Sequence, residues 1–379
     1  MSGEMCPAVA VPQSRAGRRE AAYRVLGSLL VLGAIVWTLA LVGFSLAADL
    51  LAWDVRFAYL PAAEAVLEGR SPYPALDDPI LEEQKGYVYP PQLVLALLPL
   101  TPLPIDVVAL LAAALMLALT ALTLWLLDVR DPRCYAAAAL WMPVASGTVL
   151  ANVSIPLAFA LAVVWRYRDR LWLPALTLGL AVSAKLLLWP IALWMLATRR
   201  LRTLAAAVAV GVGVTVVSWA AIRFDGFRAY PDLLARLSDI QAGNSYSFAG
   251  MAAAVGLDRA AGQVAGVLVG AGLLVAAALL ARRGEAVRPF TCATASILAL
   301  SPIVWLHYLV VLLVPMAIAR PRFSALWLLP IVLWTSPEPG YAEGARTFGP
   351  ALVAAVLVAA ILVRPAPAEA RATGAPGRG

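Results

Sequence analysis

Apolar runs recur along almost the whole chain, separated by short segments that hold most of its charged residues. Runs of about 18 residues or more cross a hydrocarbon core only as helices, because lipid offers backbone N–H and C=O groups no partner. The pattern predicts spans at 25–47, 105–127, 134–151, 154–167, 171–184, 186–198, 203–222, 263–281, 289–306, 307–319, 323–336 and 349–364. Several are shorter than a full crossing, so the count of crossings is about twelve. The run QLVLALLPLTPLP (92–104) is interrupted by Pro99, Pro102 and Pro104, which lack backbone donors; it reads either as a re-entrant segment or as a short crossing.

Composition agrees with this reading: 62% of the 379 residues are hydrophobic and 13% charged, which excludes an ordinary soluble domain. The expected fold class is therefore an all-α polytopic membrane protein, folded as one transmembrane domain over 25–364. The apolar run that begins at Val25 is too long for a signal-peptide core of roughly 7–15 residues, so it is expected to remain as the first span, behind a cytoplasmic tail of residues 1–24. The stretch 365–379 is rich in Pro, Ala and Gly, has no apolar periodicity and is expected to be disordered.

The net charge of +7 changes the picture only through its distribution. Arginine clusters at 15–24, 166–170, 199–202, 282–288 and 320–322, and beyond 363, lie between apolar runs; this is the arrangement that orients a membrane protein and it implies no nucleic-acid partner. With every cluster on the cytoplasmic side of the plasma (inner) membrane, both termini are cytoplasmic and the outer segments are 49–91, 223–262 and 337–348. Cys6, Cys134 and Cys292 are far apart and imply neither a disulfide framework nor a metal site.

Candidate chemistry lies in the two long outer segments. Pro61 and Gly69 frame a short helix with Leu60, Ala63 and Leu67 on one face, which suits a helix lying in the membrane interface. Asp54 precedes it, between Trp53 and the aromatics Phe57 and Tyr59. Three readings are open for it: a cap on the turn 55–58, one member of a solvated acidic face with Asp49, Glu64, Glu68, Asp77, Asp78, Glu82 and Glu83, or a partly desolvated general base.

Four further features stand out. YVYPPQ (87–92) reads as an aromatic interface anchor with a rigid turn. Lys185, in LAVSAKLLLWP, either faces a cavity or counter-ion or snorkels from a helix end. The only histidine, His307, is either structural or a phosphate ligand. In the second outer segment Arg223 and Arg228 suit a phosphate and Asn244 suits sugar hydroxyls, although a solvated loop with a turn explains the same residues.

Taken in order, these stretches resemble the polyprenol-phosphate-mannose-dependent alpha-1,2-mannosyltransferases of actinobacteria, glycosyltransferase family 87, which have the GT-C fold. The resemblance rests on Asp54 with Tyr59, Ala62, Ala63, Leu67, Gly69, Pro72 and Tyr73; on Tyr89-Pro90-Pro91; on Lys185 with Pro190; on Asn244 with Ser247 and Gly250; and on Ser301-Pro302 through Trp305 to His307. The chain departs from the family pattern in two places: Gly-Gln-x-Asn is reduced to Ala151-Asn152, and Tyr308 stands where a second histidine is common.

The resemblance implies a GT-C-like bundle with a long first outer loop. It implies Asp54 as the base that deprotonates an acceptor hydroxyl, and a lipid-phosphate sugar donor attacked with inversion. His307 and Lys185 would hold the donor phosphate, with Arg223 and Arg228 as helpers by charge and topology; Tyr59, Tyr89, Asn152, Asn244 and Trp305 would contact the sugar or the acceptor, a mannosylated glycolipid or lipoglycan. No metal and no cofactor are expected, because a lipid phosphate can leave from cationic donors alone. The rival readings are a transferase of the same fold with another lipid-phosphate sugar, and a transporter or flippase; the latter is weakened by the absence of any repeat between the two halves of the sequence.

Overall fold

The computed structural model describes residues 15–241, 243, 245–336 and 344–363. Asn244, the expected disordered tail 365–379 and part of the third outer segment lie outside the described residues. Every regular element among the described residues is helical. α1 (Arg15–Ala47) begins ten residues before the predicted span, inside the stretch expected to be a tail. Over its apolar part, Tyr23–Ala47, only 6% of the most apolar window is buried by the rest of the protein. Leu26, Leu29, Leu32 and Ile35 all point outward, as a lipid-facing helix requires.

Among the described residues five helices are long and apolar enough to cross a membrane: α1, α4 (Ile105–Leu126), α10 (Leu201–Ala221), α13 (Arg259–Arg282) and the last, α16 (Gly349–Val363) extended back to Arg346. A bent pair raises the number to six. This is fewer than the count of about twelve apolar runs, because the remaining runs are broken into short helices at prolines and extended residues. Between α1 and α4, the proline-rich run 92–104 forms only α3 (Pro91–Leu97) and a 3-10 turn at Leu98–Leu100, together too short to span as one helix.

These breaks position the interior side chains. The predicted span 134–151 divides at Trp141, whose backbone is extended (φ −63°, ψ 126°), into α5 (Pro132–Leu140) and α6 (Met142–Leu150). Ala151 then ends α6 in the left-handed conformation (φ 51°), and α7 (Ser154–Arg166) leaves at 118° to α6, so Asn152 sits in the corner between them. α8 (Trp172–Ala184) stops at Lys185, extended at φ −155°, before α9 (Pro190–Ala197). Pro302 keeps 301–305 non-helical between α14 (Val287–Ala299) and the 3-10 stretch Leu306–Leu312, which runs into α15 (Leu313–Ala319).

Small residues allow the long helices to approach closely. On α13, Gly262, Gly266 and Gly270 recur every fourth position and are buried against α12 (Phe248–Ala254) and the C-terminal end of α14. A Cβ at Gly266 would lie 2.7 Å from the carbonyl oxygen of Ala299. One large core runs through α6 to α9, α14, α15 and the 3-10 stretch at 306–312. A second core, under the first outer segment, contains Leu51, Ala52, Val55, Tyr59, Leu60 and Ala63 with Val108, Ala109 and Ala113 of α4.

The first outer segment folds onto that second core. A π-helical turn, Val55–Tyr59, runs directly into α2 (Leu60–Leu67), and Gly69 ends it at φ 75°, in the left-handed region glycine tolerates. Leu60 and Ala63 are buried against that core, whereas Leu67, expected on the same face, is 61% exposed. Asp54 occupies the cap position with helical backbone angles (φ −63°, ψ −38°) and its carboxylate makes no capping bond. The capping alternative is therefore overturned: both carboxylate oxygens remain available to other partners. Arg56 fastens the turn to the bundle by donating to Asp106 of α4 at 2.7 Å and pairing with Asp49 at 3.3 Å.

Candidate active site

The turn that carries Asp54 aims its carboxylate at Asn152, in the corner between α6 and α7. Asp54 Oδ2 accepts from Asn152 Nδ2 at 2.5 Å and from the Tyr59 hydroxyl at 3.1 Å. Asn152 is itself oriented, since its Oδ1 accepts from the backbone N–H of Ser154 at 3.0 Å and from the Ser154 hydroxyl at 2.7 Å, which leaves its N–H groups to face Asp54 and, at 3.3 Å, Tyr89 Oη. Burial pushes the Asp54 carboxyl above the ordinary carboxylate value, while the bonds from Asn152 and Tyr59 and the positive charge of Lys185 pull it back. A carboxylate so placed is a better proton acceptor than an exposed one, yet it remains partnered.

Tyr59 and Tyr89 stand edge to face, ring centroids 5.4 Å apart. The segment that carries Tyr89 is fixed from three sides: Tyr73 donates to the Tyr89 carbonyl at 3.1 Å, Tyr230 to the Val88 carbonyl at 3.0 Å and Tyr87 to the Pro90 carbonyl at 2.6 Å. Burial drives the hydroxyl pKa of Tyr59, Tyr87 and Tyr89 upward, so these groups stay protonated; Tyr59 and Tyr87 donate, and Tyr89 Oη accepts from Asn152. Tyr89 of the Tyr-Pro-Pro stretch, read from sequence as an interface anchor, thus lines the site.

The non-helical link 301–305 and the 3-10 stretch after it bring Trp305 and His307 to the same cavity as Asp54. His307 is buried, 6% exposed, and its Nε2 has no hydrogen-bond partner. A buried polar atom left unpaired is costly, of order 1–3 kcal/mol, and in a native site commonly waits for a ligand or water. Beside it the Lys185 ammonium donates to the Tyr308 hydroxyl at 2.6 Å and lies 5.3 Å from the Tyr89 ring centroid. The extended backbone at Lys185 ends α8, and the side chain reaches Tyr308, which lines the cavity described below, while Lys185 itself does not line it.

Asp54, Tyr59, Tyr89, Asn152, Trp305 and His307 all line one cavity of about 570 Å³, the size of a small-ligand site. Arg223 and Arg228 are exposed and do not line it. Asn244 lies outside the described residues, but the loop around it is tied to the site, because the Tyr246 N–H donates to the Val304 carbonyl at 2.8 Å and Ser247 caps α12 through the Gly250 N–H. Among the described residues no group of three or more His, Cys, Asp and Glu side chains forms a metal site.

Three sets of lining residues were missed from sequence: Glu83 and Gln84, Gln241, and Met142, Ser146 and Leu150 on one face of α6. The spacing of the α6 residues by four is visible in the sequence, but only the bend at Ala151 shows which face turns inward. Nothing in the sequence marks Gln241.

The profile of glycosyltransferase family 87 matches residues 87–306, more than half of the chain. The chain belongs to this family. It is also 32% identical, over 211 residues, to the polyprenol-phosphate-mannose-dependent alpha-(1-2)-phosphatidylinositol pentamannoside mannosyltransferase of Mycolicibacterium smegmatis (strain ATCC 700084 / mc(2)155). That alignment covers 52% of this chain and 46% of the relative, so the chain spans about half the length of the curated relative it matches. No solved structure matches it.

The part matched to glycosyltransferase family 87 contains Tyr89, Asn152, Lys185 and Trp305, stops one residue before His307, and begins after Asp54. Asp54 and the unpartnered imidazole of His307 therefore stand just outside the two ends of the matched stretch. The fold brings both to the one cavity.

Proposed function

We propose that this family 87 protein transfers a mannosyl group from polyprenyl-phosphate mannose to a hydroxyl of a mannosylated glycolipid or lipoglycan. The observation that carries the reading is that a partnered carboxylate with raised proton affinity, Asp54, opens into the same cavity as the unpartnered Nε2 of His307. Asp54 takes the proton of the acceptor hydroxyl as its oxygen attacks the anomeric carbon. The bond from that carbon to the phosphate oxygen breaks, and its electron pair leaves with the polyprenyl phosphate. His307 offers the leaving phosphate an N–H and Lys185 offers it a positive charge.

Asp54 as the one base fits direct displacement, since a retaining route wants a second, nucleophilic carboxylate and the other one on the cavity, Glu83, is paired with Lys85. A β-linked donor then gives an α-linked product, and the relative's printed name favours the 1,2 linkage and the mannose donor. Membership in a glycosyltransferase family favours this over transport.

The same reading extends to topology. The 25–364 region is one polytopic domain in the plasma membrane, in which the shorter apolar runs together with the five long helices make about twelve crossings. Both termini are cytoplasmic and the cavity opens to the outer face, under the segments 49–91 and 223–262, with arginine clusters such as 166–170 and 199–202 inside. Arg223 and Arg228, exposed on the second outer segment, would meet the donor phosphate as it approaches.

The test is transfer of radiolabelled mannose from polyprenyl-phosphate mannose to a panel of mannosylated lipids by purified wild type and Asp54→Asn. Loss of a proton acceptor predicts a fall of roughly 100- to 10,000-fold. Equal transfer by both proteins removes Asp54 from the mechanism.

A further inference from the structure

One set of cavity-lining residues is chemically unlike the His307 imidazole. It consists of Trp53, Glu83, Gln84 and Gln241, brought together from the first and second outer segments. Gln84 donates from Nε2 to Gln241 Oε1 at 3.3 Å, and Gln241, 2% exposed on α11 (Tyr230–Gln241), donates to the Leu81 carbonyl at 3.4 Å. Gln84 holds a left-handed backbone (φ 58°), which fixes the direction its amide leaves the chain.

The charges of this set cancel locally. Glu83 pairs with Lys85 at 2.9 Å, and the same ammonium lies 5.7 Å from the centroid of the Trp53 ring and 5.3 Å from that of Phe57. What remains toward the cavity is an indole, two amides and a paired carboxylate. These groups offer directional donors and acceptors with no net charge, suited to a neutral ring that carries many hydroxyls and ill suited to a phosphate.

We infer that this set forms the subsite for the sugar ring of the acceptor, and that Gln84 and Gln241 are specificity-determining residues. The inference rests on the glycosyltransferase reading above and adds where the acceptor sits: the hydroxylated ring lies between the Gln84–Gln241 clasp and Asp54, away from the donor phosphate. The clasp joins the two outer segments, so a ring that replaces this hydrogen bond with its own hydroxyls is held by both segments at once.

The test is direct binding to the full-length protein in lipid nanodiscs, with octyl α-mannoside as the sugar probe and decaprenyl phosphate as the lipid-phosphate probe. Gln84→Gly removes the amide while keeping the left-handed backbone easy, and should weaken octyl α-mannoside binding about tenfold, the worth of one or two hydrogen bonds to a neutral group. Gln84→Asn, which keeps an amide and tolerates the backbone, should recover part of the loss, and Gln241→Met should weaken the sugar probe similarly. Decaprenyl phosphate binding should stay within twofold in all three. Unchanged octyl α-mannoside binding in both Gln84→Gly and Gln241→Met, or equal loss of both probes, would overturn the inference. If the wild type transfers no mannose but its sugar binding still depends on Gln84, the proposed donor chemistry falls and the sugar subsite stands.

Discussion

Asn152 donates to Asp54 at 2.5 Å across 98 positions of the chain, and Ser154 holds the other end of the same amide through two bonds. The Asn152 amide therefore cannot flip without leaving its own oxygen against the carboxylate and losing both Ser154 contacts. Asn152→Leu removes a bond to a charged group worth about 1.5–3 kcal/mol, so transfer should fall at least tenfold. Ser154→Ala leaves the backbone contact in place and should cost only severalfold. Steady-state rates of the two variants check the order; a larger loss in Ser154→Ala than in Asn152→Leu would contradict it.

In the proposed reaction the Lys185 charge, together with burial and the bonds from Asn152 and Tyr59, bears on the pH at which Asp54 is ionised. Asp54 must be ionised to accept a proton, so activity falls as pH drops through its pKa, which burial raises and the Lys185 charge lowers. Lys185→Met removes a lowering influence, and the acid limb of kcat/KM should move to higher pH. Lys185→Arg keeps the charge and should leave the limb near its wild-type place. A pH–rate profile of the three proteins decides it, and an acid limb at the same pH in Lys185→Met would refute the coupling.

The helical character of the chain and six of the cavity's residues, Asp54, Tyr59, Tyr89, Asn152, Trp305 and His307, were legible in the sequence for different reasons. Apolar run length reveals helices directly, as α1, α4, α10 and α13 attest, because lipid leaves the backbone no alternative. It does not reveal where a run bends. Ala151 carries no glycine or proline signal, yet its left-handed backbone makes the corner that holds Asn152. The division at Trp141 is similarly hidden, since only Pro143, two residues on, hints at a new helix start.

The chemistry was legible where residue type is unusual for its surroundings: an aspartate among aromatics, a lysine and a histidine in apolar runs. It was illegible at Gln84 and Gln241, which look like ordinary polar loop and helix residues until the fold sets them against each other. Arg223 and Arg228 show the reverse, because their charge stands out in the sequence while the fold leaves them exposed, away from the cavity lining.

Close approach of α13 to α14 predicts an asymmetry between two glycines of one helix. Gly266→Ala would place a methyl 2.7 Å from the Ala299 carbonyl oxygen and 3.2 Å from the Phe248 side chain, and should destabilise by about 1–3 kcal/mol. Gly272→Ala meets nothing within 4 Å and should be neutral or stabilise by up to about 1 kcal/mol, alanine being the better helix former. Thermal unfolding in detergent compares them, and equal midpoints would show that the helices relax apart without cost.

His307 gives the sharpest test of which end of the cavity holds the donor. Its buried Nε2 has no partner, so filling it with a phosphate oxygen both satisfies the imidazole and gains a charge-assisted bond. His307→Phe keeps a ring in the same space and removes the donor, and should weaken decaprenyl phosphate binding about tenfold or more while octyl α-mannoside binding stays near wild type. In turnover the same variant should lose rate at saturating donor as well, because the bond strengthens as negative charge develops on the departing oxygen. A rise in donor KM with kcat intact would mean that His307 binds the phosphate equally in the ground and transition states, and loss of mannoside binding alone would move the imidazole to the acceptor side.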